Sequence, residues 1–157
     1  MKSLLSNRLI VLLVRVFLGG VFVIASLDKI VDPAAFAVSI LNYKVVSVTP
    51  ALVIATVLPW AELLCGLGLL LGLYPRGSSL LAASMLAVFT VLMGSALLRG
   101  LDISCGCFSQ DPSVGRIGGA RIAEDAGLFI LSIFSYYAAE DTSLLSWTKR
   151  RPTEHAA

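Results

Sequence analysis

The stretch LDISCGCFSQDP, residues 101–112, places Cys105 and Cys107 one residue apart in a polar segment of an otherwise apolar chain. A disulfide needs Cα atoms about 4.4–6.8 Å apart and a defined S–S torsion, so cysteines this close can pair only where the backbone folds sharply between them. Gly106 supplies that freedom. So small a ring removes little loop entropy from the unfolded chain and adds little stability, whereas strained, exposed disulfides are oxidising and exchange-prone. Arg99, Arg116 and Arg121, in or beside the same segment, can stabilise the thiolate form, which is the reactive one. The pair therefore has the design of a dithiol–disulfide switch. Two vicinal thiolates also suit Cu(I) or another soft ion. Further ligands are distant, however: Cys65 falls within an apolar run, where it is expected as a small buried hydrophobe, and His155 is in the C-terminal tail. No metal ligand is assigned.

Arg15 and Glu62 fall inside long apolar runs. A charge in hydrocarbon is costly, which makes each a functional candidate with a partner to be found. Counting about 1.5 Å per residue from the outer ends of their helices puts Arg15 about 20 Å deep and Glu62 about 18 Å deep, so a buried Arg15–Glu62 ion pair is predicted. Lys29, beside Asp28 at the outer end of the first run, is expected as an interfacial anchor able to face Asp102 or a thiolate. Glu124 and Asp125, at the start of the last run, fit acids favoured by a helix N-terminus. Pro59 is expected to kink its helix, and Gly19, Gly20, Gly66, Gly68 and Gly72 permit close helix contact.

What positions these residues follows from composition. The chain of 157 residues is 57% hydrophobic and 14% charged, against about 45–50% and about 25% in ordinary soluble domains. Its mean hydropathy is +0.89. A bilayer core about 30 Å thick needs about 20 apolar residues per helical span. Four segments qualify, at about 9–28, 50–73, 78–98 and 121–139, although Glu124 and Asp125 shorten the uncharged part of the fourth. The fold class expected is an all-α integral membrane protein, a four-transmembrane-helix bundle forming one domain over residues 1–157. The first segment is kept as a span rather than a cleaved signal peptide, because Arg15 interrupts its apolar run and its removal would leave an odd number of spans.

Asp32-Pro33 and Thr49-Pro50 each read as an N-cap followed by proline at the first helical position. The helix starting at Pro33 is too short to span and is expected at the membrane surface, with Phe36, Ile40 and Tyr43 dipped inward. YPRGSS, from Tyr74, forms a tight turn. The formal net charge is +2, and the one basic run, Lys149-Arg150-Arg151, is too short for nucleic-acid binding and fits a cytoplasmic anchor. Both termini are then cytoplasmic in a bacterial inner membrane. The long connection, residues 99–120, faces the oxidising periplasm.

On three stretches the chain resembles the MauE branch of the DoxX-like membrane proteins: RVFLGGVFVIASLDKIVDPAAFAVSILNY, LPWAELLCGLGLLLGLY and LLRGLDISCGCFS. The CGCF step is the most specific part, and Ser109 stands where glycine often follows the phenylalanine. The resemblance implies a four-helix bundle associated with thioredoxin-like periplasmic proteins and with disulfide formation in a dehydrogenase subunit during methylamine utilisation. Other relatives act in thiol redox at the quinone pool. It implies Cys105 and Cys107 as the redox pair, with Gly106, Phe108, Asp102 and Arg99 supporting them, and Arg15, Glu62 and Lys29 as accompanying polar positions. The expectation is a membrane thiol–disulfide redox protein exchanging electrons with a periplasmic thioredoxin-like partner, embedded in membrane lipids, with quinone the candidate cofactor. Its alternatives are a soft-metal (Cu(I) or Hg(II)) binding or transport protein and a non-catalytic assembly factor.

Overall fold

The structure is a computed structural model that describes residues 8–101 and 119–138. These form five helices and no strand: α1 Arg8–Val31, α2 Pro33–Asn42, α3 Val48–Leu71, α4 Pro75–Leu98 and α5 Gly119–Ala138. Three of them, α1, α3 and α4, are long and apolar enough to cross a membrane. The fourth expected span corresponds to α5, whose first two turns carry Arg121, Glu124 and Asp125. Asp102, Cys105, Gly106, Cys107 and Phe108 lie outside the described residues.

Local chemistry sets the helix ends. Asp32 caps α2 as predicted, its carboxylate accepting from the Ala35 amide at 2.9 Å, with Pro33 in the first turn. α3 starts earlier than predicted, with Ser47 rather than Thr49 as N-cap, so Pro50 is its third residue. The first four amides of a helix have no intrahelical acceptor, so proline there loses no hydrogen bond. α3 runs unbroken through Pro59 and closes on Gly72, whose left-handed φ of 65° suits glycine. Only Leu73 and Tyr74 then precede α4, which takes Pro75 as its first residue, so most of the predicted YPRGSS turn is helix.

The bundle has a turn side, at Gly72–Tyr74, and an opposite loop side, where α1 ends, α2 lies, α4 ends and α5 begins. α1 packs most extensively on α3, and α4 on α5. The α1–α3 seam closes to backbone contact. A Cβ on Gly19 would stand 2.8 Å from the Gly66 carbonyl oxygen, and one on Gly66 would stand 2.9 Å from the Gly19 carbonyl oxygen. Only glycine fits on both sides. Leu18, Phe22, Leu69, Met85, Leu86 and Leu128 pack around Cys65, whose thiol is buried and directed at the Ser78 carbonyl, 3.1 Å away.

Polarity is inverted relative to a soluble bundle. Leu13, Ile24, Leu64, Val91 and Ile130 are exposed, whereas Arg15, Lys29, Glu62, Asp125, Ser79 and Ser135 are buried. In water, so large an apolar exterior would be an aggregation surface. Against hydrocarbon it is the favourable side, and the polar groups find partners inside.

Candidate functional site

The loop-side half of the bundle encloses an ion pair. Lys29, from the last turn of α1, places Nζ 2.6 and 2.7 Å from the two carboxylate oxygens of Glu62 on α3. The two side chains are only 2% and 3% exposed. The rings of Phe36 on α2 and Phe89 on α4 stand over the ammonium, with centroids at 5.1 and 5.5 Å. Cation–π attraction of this kind strengthens where water is excluded. Four helices thus converge on one charge.

This pairing corrects the expected Arg15–Glu62 pair. That expectation aligned the helix ends, but the Gly19–Gly66 contact sets the register instead. Gly19 lies 12 residues before the end of α1 and Gly66 18 residues after the start of α3, so α3 overreaches α1 on the loop side by about 9 Å. Glu62 is thereby lifted towards the end of α1 and meets Lys29. Lys29, expected as an interfacial anchor, turns inward and is buried. Arg15 sits instead at the turn side, where Nη2 donates to the Leu69 carbonyl at 3.2 Å. It faces the C-terminus of α3, where the helix dipole favours a cation.

Asp125 is the residue that sequence reasoning assigned to capping. It is the seventh residue of α5, past the first turn, and is 2% exposed. Its Oδ2 is hydrogen-bonded to Thr90 Oγ1 on α4. With Lys29, Glu62 and Phe89 it bounds a small cavity of about 20 Å³. Its neighbour Glu124 points outward to Arg121, 2.9 Å away. The signal that separates the two acids is the buried stripe Asp125, Leu128, Ser132, Ser135 on α5, at helical spacing.

Tyr43, at the C-terminus of α2, joins this cluster to the base of the cysteine segment. Burial pushes its phenol up to about 12, so it keeps its proton. Arg99, the C-cap of α4, donates from Nη1 to the Tyr43 carbonyl at 3.1 Å. Tyr43 packs in a cluster with Met93 and Ala96, to which Leu101 and Ile122 add their side chains. The end of α4 and the start of α5 therefore share the Tyr43 cluster. Of the predicted supporting residues, Arg99 is placed at this base.

Beside the ion pair lies a larger apolar cavity, about 320 Å³, lined by Phe36, Ile40, Tyr43, Ile54, Met85 and Phe89 among others. That volume lies within the usual range for small-molecule sites. The hydroxyls of Ser39 and Ser84 in its wall donate to the Ala35 and Leu80 carbonyls of their own helices. Among the described residues no group of three or more His, Cys, Asp or Glu side chains could hold a metal.

The family model for "Methylamine utilisation protein MauE" matches residues 7–138. A methylamine utilization protein MauE from Paracoccus denitrificans is 31% identical over 109 residues, which cover 69% of this chain and 59% of that protein. One from Paracoccus versutus is 31% identical over 134 residues, covering 85% and 72%. One from Methylophilus methylotrophus is 25% identical over 135 residues, covering 85% and 71%. The match to the Paracoccus denitrificans protein thus spans less than two thirds of that relative's length. No solved structure matches the chain.

Proposed function

The chain belongs to the MauE family of methylamine utilisation proteins, a family of multi-pass membrane proteins, and on that premise we propose that it is a thiol–disulfide redox protein acting through Cys105 and Cys107. The thiolate of one cysteine attacks a disulfide of a thioredoxin-like partner and forms a mixed disulfide; the second cysteine resolves it, closing the C-G-C ring and releasing the partner dithiol. The reverse sequence passes oxidising equivalents to the partner. In this reading α5 is a fourth span, both termini are cytoplasmic and the pair faces the periplasm, where disulfides persist. The protein then supports disulfide formation during maturation of a periplasmic enzyme of methylamine utilisation.

The observation that carries this reading is the C-G-C pair itself, within the stretch matched to the family. The packing of both flanking helices in the Tyr43 cluster supports it, because an exchange-active pair gains from a fixed base. A quinone would supply a two-electron acceptor, and Phe36, Ile40, Ile54 and Met85 would hold its apolar parts.

The test is a redox titration of the purified protein, with thiol labelling across a glutathione or dithiothreitol series. The expected result is one reversible two-electron transition at a potential above about −300 mV, abolished in Cys105→Ser and in Cys107→Ser. Thiols that stay reduced throughout, or that titrate only after metal is removed, would overturn the proposal.

A further inference from the structure

The Lys29 ammonium is matched by both oxygens of Glu62, leaving Asp125 as a second carboxyl in the same buried pocket. Its hydrogen bond to Thr90 is informative. Thr90 Oγ1 lies 2.8 Å from the Leu86 carbonyl oxygen and is also bonded to Asp125 Oδ2. A hydroxyl has one proton, and a carbonyl can only accept. If Thr90 gives its proton to Leu86, the bond to Asp125 exists only when Asp125 is the donor. Both bonds are therefore satisfied together only in the carboxylic-acid form of Asp125.

The pocket bounded by Lys29, Glu62 and Asp125 measures about 20 Å³. A cavity above about 10–15 Å³ holds one water where it offers two or more polar partners, and Lys29, Glu62 and Asp125 supply them in the wall of this otherwise apolar one. We propose that Asp125 carries a proton in the folded protein at neutral pH and, through one water in this pocket, forms a proton-transfer site with Glu62 and Lys29.

The exchange is balanced. The O–H bond of Asp125 breaks, the water passes the proton on, and an O–H bond forms at Glu62. Asp125 becomes a carboxylate as Glu62 becomes neutral, and the total charge of the pocket is unchanged. That constancy is what lets a proton move where net charge is costly. The groups facing the site are Lys29, with Asp28 beside it, from α1, Tyr43 from the end of α2, Glu62 from α3 and Thr90 from α4. Tyr43 stays neutral throughout. The site does not depend on the cysteine pair.

Infrared spectroscopy of the full-length protein in liposomes, comparing H₂O with D₂O, tests the proposal. Wild type should show a buried carboxylic-acid C=O band at neutral pH that is missing in Asp125→Asn, whose amide can still donate to Thr90. Absence of the band in wild type, or its survival in Asp125→Asn, overturns the assignment. Thr90→Val keeps the test decisive if the first variant fails to fold: the band should persist and shift to higher frequency, and an unshifted band counts against the proposal. Glu62→Gln should also shift the Asp125 band, and no shift would remove the water link.

Discussion

The two ends of the bundle each bury a cation, and they stabilise it in different ways. At the loop side, Lys29 meets a full carboxylate between two aromatic rings. At the turn side, Arg15 meets the carbonyl end of α3. The first arrangement makes two residues mutually dependent, because removal of either strands a charge. The second sets the guanidinium against a backbone carbonyl at a helix C-terminus. The loop-side half therefore carries the buried carboxyls Glu62 and Asp125 and the two cavities beside them, while the turn-side half is closed by a short turn and by glycine contacts.

The sharpest way to break this comparison is to remove one member of the ion pair. Glu62→Ala should cost about 3–5 kcal/mol and most of the folded yield, measured by size-exclusion chromatography and thermal melting in detergent. Adding Lys29→Met should recover most of that loss. Normal yield from Glu62→Ala alone would mean the pair is not closed off from water. Arg15→Leu should cost less, about 1.5–3 kcal/mol, because a neutral carbonyl is left behind. A loss equal to that of Glu62→Ala would erase the difference between the two ends. Gly19→Ala forces a methyl group against the Gly66 carbonyl and should lower stability by about 1–2 kcal/mol. Gly20→Ala, where an added Cβ meets nothing within 4 Å, should change the melt by no more than about 0.5 kcal/mol. A large effect there would mean that another surface covers this face of α1.

The helices and the inward face of α2 were legible in the sequence, since apolar runs, the Asp32-Pro33 cap and the Phe36, Ile40, Tyr43 spacing are local signals. The ion pair was not. Depth counted from helix ends assumes that the ends are level, and the stagger between α1 and α3 is set by a contact between two glycines distant in sequence. Those glycines were visible as permissive of close packing, but which of them meet depends on three-dimensional register. Asp125 was misread for a related reason. Beside Glu124 it looks like one of a pair of capping acids, and only its place on the stripe with Leu128, Ser132 and Ser135 turns it inward. The cysteine pair was legible as chemistry, and it lies outside the described residues.

The glycine seam between α1 and α3 also bears on how the protein is made. Glu62 lies near the middle of α3 and would enter hydrocarbon uncompensated if that helix were inserted alone. Ribosomal synthesis delivers the cation first: Lys29 is polymerised 33 residues before Glu62 and is already in place when the acid emerges from the translocon. The seam then brings the nascent α3 to the register in which the two meet. The α1–α3 hairpin is thus the first unit in which Glu62 can sit in the bilayer beside its counter-charge, and α4 and α5 assemble onto it.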